Sequence, residues 1–207
     1  MTYATRTRRI PDDTLRIPVS TLRIPNGYPA KGVGYPRHTP RMSHTNSAHA
    51  TNWAAFTSAE PALAKTVEDR FGTFTHHILA TLRKDGSPRT TGLEVRFLDG
   101  ELWLGMMPNS LKALDLRRDP RFTLQANPGS GTDMGGGDVR ISGRAIETGD
   151  DDPAAKAAYV KEVEPPEPFH LFRTELTEVV RTYVKDDTYL VVEIWKPGEP
   201  VRTLRRK

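Results

Sequence analysis

The sequence predicts a mainly β, α+β domain whose antiparallel sheet curls toward a barrel. Three observations carry this. Asp85-Gly86 and Asp99-Gly100, the strong hairpin turn signal, separate runs of strand-forming residues. Few helical segments interrupt those runs, and a mainly antiparallel sheet with few helices at this length suggests a barrel. A proline falls in every seven-residue unit near the start, so that stretch cannot be helical.

The opening segment stands apart. Thr7-Arg8-Arg9-Ile10-Pro11 recurs as Thr14-Leu15-Arg16-Ile17-Pro18 and as Thr21-Leu22-Arg23-Ile24-Pro25. Seven-residue spacing suggests a coiled coil, but the prolines forbid it, and Pro29, Pro36 and Pro40 continue the break. Residues 1–41 hold eight Lys or Arg against two Asp, a charge of +6, which leaves −2 of the chain's +4 for the rest. Residues 1–50 are therefore read as a disordered, basic, Pro-rich tail, and residues 51–207 as the folded domain. A basic tail could meet an acidic partner. Met42 stands at the charge break and is a candidate natural start.

Composition narrows the function classes. The chain has 207 residues and no cysteine, which excludes disulfides, thiolate metal sites and cysteine nucleophiles. A mildly acidic body disfavours nucleic acid as a partner, because phosphate neutralisation needs a basic surface. No apolar run approaches a membrane span or a secretory signal core, so a soluble, cytoplasmic protein without a membrane partner is expected.

The elements follow in order. Leu63, Val67 and Phe71 recur at helical spacing, in a helix that starts near Ser58 or Pro61 and closes at Gly72. His77–Arg83, Arg89–Leu98 and Glu101–Met106 read as three strands joined by the Asp-Gly turns into a meander. A short helix follows, with Asn109 as its cap and Leu111, Leu114 and Leu116 as its apolar side, and Asp119-Pro120 ends it. Arg121–Ala126 and Val139–Ile146 are strands around a glycine-rich loop. Asp151-Asp152-Pro153 opens a helix to about Val163, broken by Pro165, Pro166 and Pro168. Phe172–Val184 is a long strand or two, and Tyr189–Trp195 is the last clear one.

This order and three local motifs resemble the pyridoxamine 5'-phosphate oxidase-like family, the flavin/deazaflavin oxidoreductases of the FMN-binding split β-barrel. The motifs are the hairpin Ala80-Thr81-Leu82-Arg83-Lys84-Asp85-Gly86-Ser87-Pro88-Arg89, the run from Leu102-Trp103-Leu104-Gly105 through Asn109-Ser110-Leu111-Lys112 to Arg118-Asp119-Pro120-Arg121, and the strand Asp138–Ala145. The middle run, a Ser-x-Lys helix start followed by Arg-Asp-Pro-Arg, is the most specific. The resemblance implies a split β-barrel and a homodimer with cofactor sites at the subunit interface. It also implies FMN or the deazaflavin coenzyme, more rarely FAD or haem, exchanging electrons with a small-molecule substrate.

Site residues follow from motif and chemistry together. Ser110 and Lys112 sit where unpaired helix N–H groups would meet a phosphate, and the resemblance gives Lys112 the grip on it. Arg89 either pairs with that phosphate or flanks the hairpin. By resemblance, Thr90, Thr91 and Gly92 run beside the flavin ring, with Leu104, Gly105 and Met106 on the other side. Gly92 would permit close approach of a flat ligand, or it relieves twist. Trp195 is either a core residue or one that reaches a partner subunit's cofactor. His76 and His77 are adjacent on a strand and point to opposite faces, so no metal pair is expected. His170 reads as a lone, inert loop-edge histidine. No Ser/His/Asp set or carboxylate pair is legible, as expected where a cofactor carries the chemistry. The neutral-to-acidic run Thr90-Thr91-Gly92-Leu93-Glu94 lacks the basic side chains of true pyridoxamine phosphate oxidases. The chain also lacks their ending, so a general FMN- or deazaflavin-dependent reductase or oxidase is the expectation. A flavin, deazaflavin or haem carrier is the alternative.

Overall fold

The structure is a computed structural model that describes residues 51–129, 137–148 and 152–207. The expected tail, residues 1–50, and the middle of the glycine-rich loop lie outside the described residues.

Two helices lead into the sheet. Helix α1 (Trp53–Ala59) is capped by Asn52, whose side chain accepts from the Ala55 amide at 3.0 Å. Helix α2 (Pro61–Gly72) buries Leu63, Val67 and Phe71, the expected face. The nine strands among the described residues are β1 (His77–Leu82), β2 (Pro88–Leu93), β3 (Val95–Leu98), β4 (Glu101–Met106), β5 (Arg121–Gln125), β6 (Asp138–Glu147), β7 (His170–Lys185), β8 (Tyr189–Trp195) and β9 (Arg202–Arg206). Helix α3 (Leu111–Arg118) lies between β4 and β5, and α4 (Pro153–Val163) between β6 and β7.

All strand pairs are antiparallel, and seven strands run in the order β2-β1-β5-β6-β7-β4-β3, with β8 and β9 continuing from β7. The ends of that path, β2 and β3, are consecutive in the chain and joined through Glu94. The sheet therefore curls until its edges nearly meet without forming a closed ladder, the architecture of a split barrel.

This corrects the reading of Arg89–Leu98 as one strand in a meander. The first half pairs with β1 and the second with β4, at opposite ends of the path. A single straight strand could not serve both edges of a curled sheet, so the chain turns a corner at Glu94.

Strand β7 is one element of 16 residues that pairs with β4 near its start, β6 along its length and β8 near its end. Its register with β6 shifts between Ser142 and Gly143. A β-carbon at Gly143 would lie 2.1 Å from the Glu175 carbonyl oxygen, so only glycine fits this close passage.

The main core is aromatic at the α1 end. Trp53 and Phe56 meet edge-on at 5.1 Å, and Phe56 packs on Trp195 at 4.4 Å. Trp53 Nε1 donates to Glu68 at 2.9 Å, which satisfies the one polar atom that its burial threatens. A second cluster, Trp103, Tyr159 and Leu171, seats α4 over β4 and the start of β7. Among the described residues, no helix is long and apolar enough to cross a membrane.

Candidate cofactor site

Helix α3 is fixed to the barrel by one buried carboxylate. Asp115 accepts from Thr81 Oγ1 at 2.9 Å, Arg89 Nε at 2.7 Å and Arg118 at 3.0 Å. Burial raises its pKa, but these three hydrogen bonds outweigh that effect and hold it below the ordinary carboxylate value. Arg89 is thereby engaged in tying β2 to α3.

The start of α3 differs from the sequence expectation. Its N-cap residue is Ser110, while Asn109 sits one residue earlier in a left-handed conformation at φ 56°. The Ser110 side chain makes no capping bond: its Oγ is buried and, among the described residues, without a hydrogen-bond partner. The buried side of the helix is Ala113, Asp115 and Leu116, whereas Leu111 and Leu114 are exposed. Asp115 must face inward to meet Arg89, and this rotates both leucines outward. Lys112 is half-buried and donates from Nζ to the Gly92 carbonyl at 2.6 Å, and desolvation lowers its pKa.

Lys112 and Gly92 stand on the wall of a cavity of about 490 Å3, within the usual size range of small-molecule sites. Gly105 and Met106 line it from β4, and Tyr159 reaches it from α4. Pro165, Pro166 and Phe169 line it from the segment after α4. Tyr159 stacks on Phe169 with centroids 6.0 Å apart, and burial pushes its phenol pKa up. His76, Glu94 and Arg96 also line it, with His76 Nε2 3.4 Å from Glu94.

The structure thus brings Gly92, Gly105 and Lys112 to one cavity, with Ser110 two residues from Lys112. Thr91 has a buried hydroxyl without a partner among the described residues, whereas Thr90 is exposed. Leu104 is buried in the main core, and so is Trp195, which packs on Phe56 outside the cavity lining. His76 precedes β1 and is exposed, whereas His77 opens β1 and is buried. His170, read as inert, is bonded through both ring nitrogens. Tyr159 and Phe169 were missed. The one available signal was Tyr159 itself, the sole aromatic in a helix otherwise rich in alanine.

The residues fit a phosphorylated planar cofactor. Ser110 Oγ is an orphaned buried hydroxyl at a helix N-terminus among the described residues, Lys112 adds an ammonium, and Gly92 leaves the space of a β-carbon open at the cavity wall, whereas the Tyr159 hydroxyl covers Gly105.

An antiparallel, unclosed barrel with a donor-lined cavity between α3 and α4 defines a split-barrel protein. The family model described as pyridoxamine 5'-phosphate oxidase matches residues 63–183, more than half of the sequence, and the chain belongs to that family. Two solved structures agree on the fold. PhzG from Burkholderia lata 383, in complex with tetrahydrophenazine-1-carboxylic acid, is 16% identical, with 75% of this chain and 93% of that chain covered at a TM-score of 0.51. A pyridoxamine 5'-phosphate oxidase-related, FMN binding protein from Nostoc punctiforme PCC 73102 is 17% identical, covering 71% and 95% at a TM-score of 0.50. The heme storage protein HutZ from Vibrio cholerae is 14% identical, covering 57% and 89% at a TM-score of 0.44. No curated protein matches the sequence at a significant level.

Proposed function

We propose that this protein is a flavin-type oxidoreductase that binds FMN, or the deazaflavin coenzyme, in the cavity between α3 and α4. The observation that carries this reading is the buried, unpartnered Ser110 Oγ at the start of α3, two residues before Lys112. The cofactor phosphate would accept from Ser110, Lys112 and the free N–H groups of the first helical turn. The ring would lie along Gly92, with Tyr159, seated on Gly105, and Phe169 screening it from water. When bound, the flavin supplies hydride or electron transfer, and this chain's residues hold it and shape the space for a small substrate.

The subunit interface belongs to the same proposal. Met107, Leu111 and Leu114 are exposed apolar residues just before and on α3. A second copy covering them would complete the wall of the site, which supports a homodimer.

The test is a titration of the purified protein with FMN and with the deazaflavin coenzyme, followed by visible absorption. Saturable binding of one, and its bleaching by NAD(P)H or by a reduced small-molecule donor, is the expected result. Binding of neither at millimolar concentration would sink the reading. Binding without reduction by any donor would favour a carrier, and binding of haem alone would replace the flavin.

A further inference from the structure

His170 opens β7, and its imidazole is bonded on both sides. Asn109 N–H lies 3.1 Å from Nε2, and Glu147 Oε1 lies 2.8 Å from Nδ1. A backbone amide can only donate, so Nε2 must offer a lone pair. The ring proton then sits on Nδ1 and is donated to Glu147. Glu147 is held in turn by Arg117, with Nε 2.5 Å from Oε2 and a terminal nitrogen 2.8 Å from Oε1. That same guanidinium nitrogen is 3.3 Å from Nδ1, but it cannot accept the ring proton.

The route of this relay is its main feature. Arg117 belongs to the last turn of α3, Glu147 ends β6, His170 starts β7, and Asn109 immediately precedes the Ser110 cap of α3. One chain of hydrogen bonds leaves the C-terminal turn of the helix and returns just before its first. It ends on the amide of Asn109, whose left-handed conformation immediately precedes Ser110 and the first helical N–H groups.

We propose that His170 is a positioning residue for the phosphate end of the cofactor site, acting through the Asn109 amide on Ser110. This rests on the reading of that helix start as the phosphate site. His170 would not touch the cofactor. Loss of its lone pair should weaken recognition of the phosphate while leaving the ring pocket between Gly92 and Tyr159 as it is.

The experiment compares FMN with riboflavin, which lacks the phosphate, on wild type, His170→Leu and His170→Gln. His170→Leu should lower FMN affinity by about tenfold relative to riboflavin. His170→Gln should recover most of it, because an amide oxygen can accept from Asn109 while its NH2 donates to Glu147. An FMN-to-riboflavin ratio equal in all three, or a parallel loss of both ligands, would overturn the proposal. Nitrogen-15 spectra of the ligand-free protein should place the ring proton on Nδ1, and a proton on Nε2 would also overturn it. A wild type that binds neither ligand would remove the cofactor reading and this role together, whereas the ring spectrum judges the hydrogen bond by itself.

Discussion

The Tyr159 hydroxyl stands over Gly105, 2.2 Å from where a β-carbon on that residue would lie. The glycine is therefore a seat for the phenol. Gly105→Ala should cost about 1–3 kcal/mol through overpacking, read as a lower denaturant midpoint. Phenylalanine at 159 removes the closest atom, and the next ring carbon is 3.1 Å away. The alanine substitution should thus cost less in a Tyr159→Phe background. Equal costs in both backgrounds would show that the clash is not with the hydroxyl.

Asp115 predicts an acid-sensitive fold. Burial opposes its ionisation, but Arg89, Arg118 and Thr81 hold its folded pKa below the ordinary 3.8. A depressed carboxylate stabilises the fold fully above the unfolded value, near 3.9, and that contribution fades as pH falls through the folded value. Denaturant midpoints should therefore fall more steeply below pH of about 4 in wild type than in Asp115→Asn. At neutral pH the substitution should cost about 3 kcal/mol, because it leaves the mostly buried Arg89 without its counter-charge.

Lys112→Met keeps the aliphatic stem and removes the charge. FMN affinity should fall about 10- to 150-fold, as expected for one charge-assisted hydrogen bond to phosphate. Riboflavin should bind both proteins alike. Apoprotein stability should stay within about 1 kcal/mol, since losing the bond to Gly92 is offset by relief of a desolvated ammonium. Undiminished FMN binding would move the phosphate away from α3.

Leu111→Arg places a charge at the centre of the exposed apolar patch on α3. Sedimentation should show wild type as a dimer and the variant shifted toward monomer, with weaker cofactor binding. A wild-type monomer that still holds cofactor would refute the shared interface.

Much of the fold was readable from local chemistry. Asp-Gly turns fixed both hairpins, and Leu63, Val67 and Phe71 fixed the face of α2. The corner at Glu94 was hidden because the in–out alternation survives it: Leu93 is buried, Glu94 exposed and Val95 buried. The rotation of α3 was hidden for a different reason. Leucines suggested a buried face, but the energetics of Asp115 with Arg89 decided which way the helix turned, and that pairing spans 26 residues. Lys112 was legible as a candidate because its motif is local. Tyr159 and His170 were not, because their roles depend on partners brought together only by the sheet.

The corner at Glu94 also bears on solubility at high concentration. Strands at a sheet margin invite pairing with foreign chains, the first step to fibrils. Here two such strands, β2 and β3, are tied to each other by a single residue, which leaves an intruding strand little freedom to add between them. The remaining margin is β9, which among the described residues pairs only with β8, and all five of its residues are exposed. It carries Arg202, Arg205 and Arg206, whose mutual repulsion disfavours stacking on a second copy of itself. The barrel thus guards one margin by covalent continuity and the other by charge, and neutralising those arginines is the change that would expose it to self-assembly.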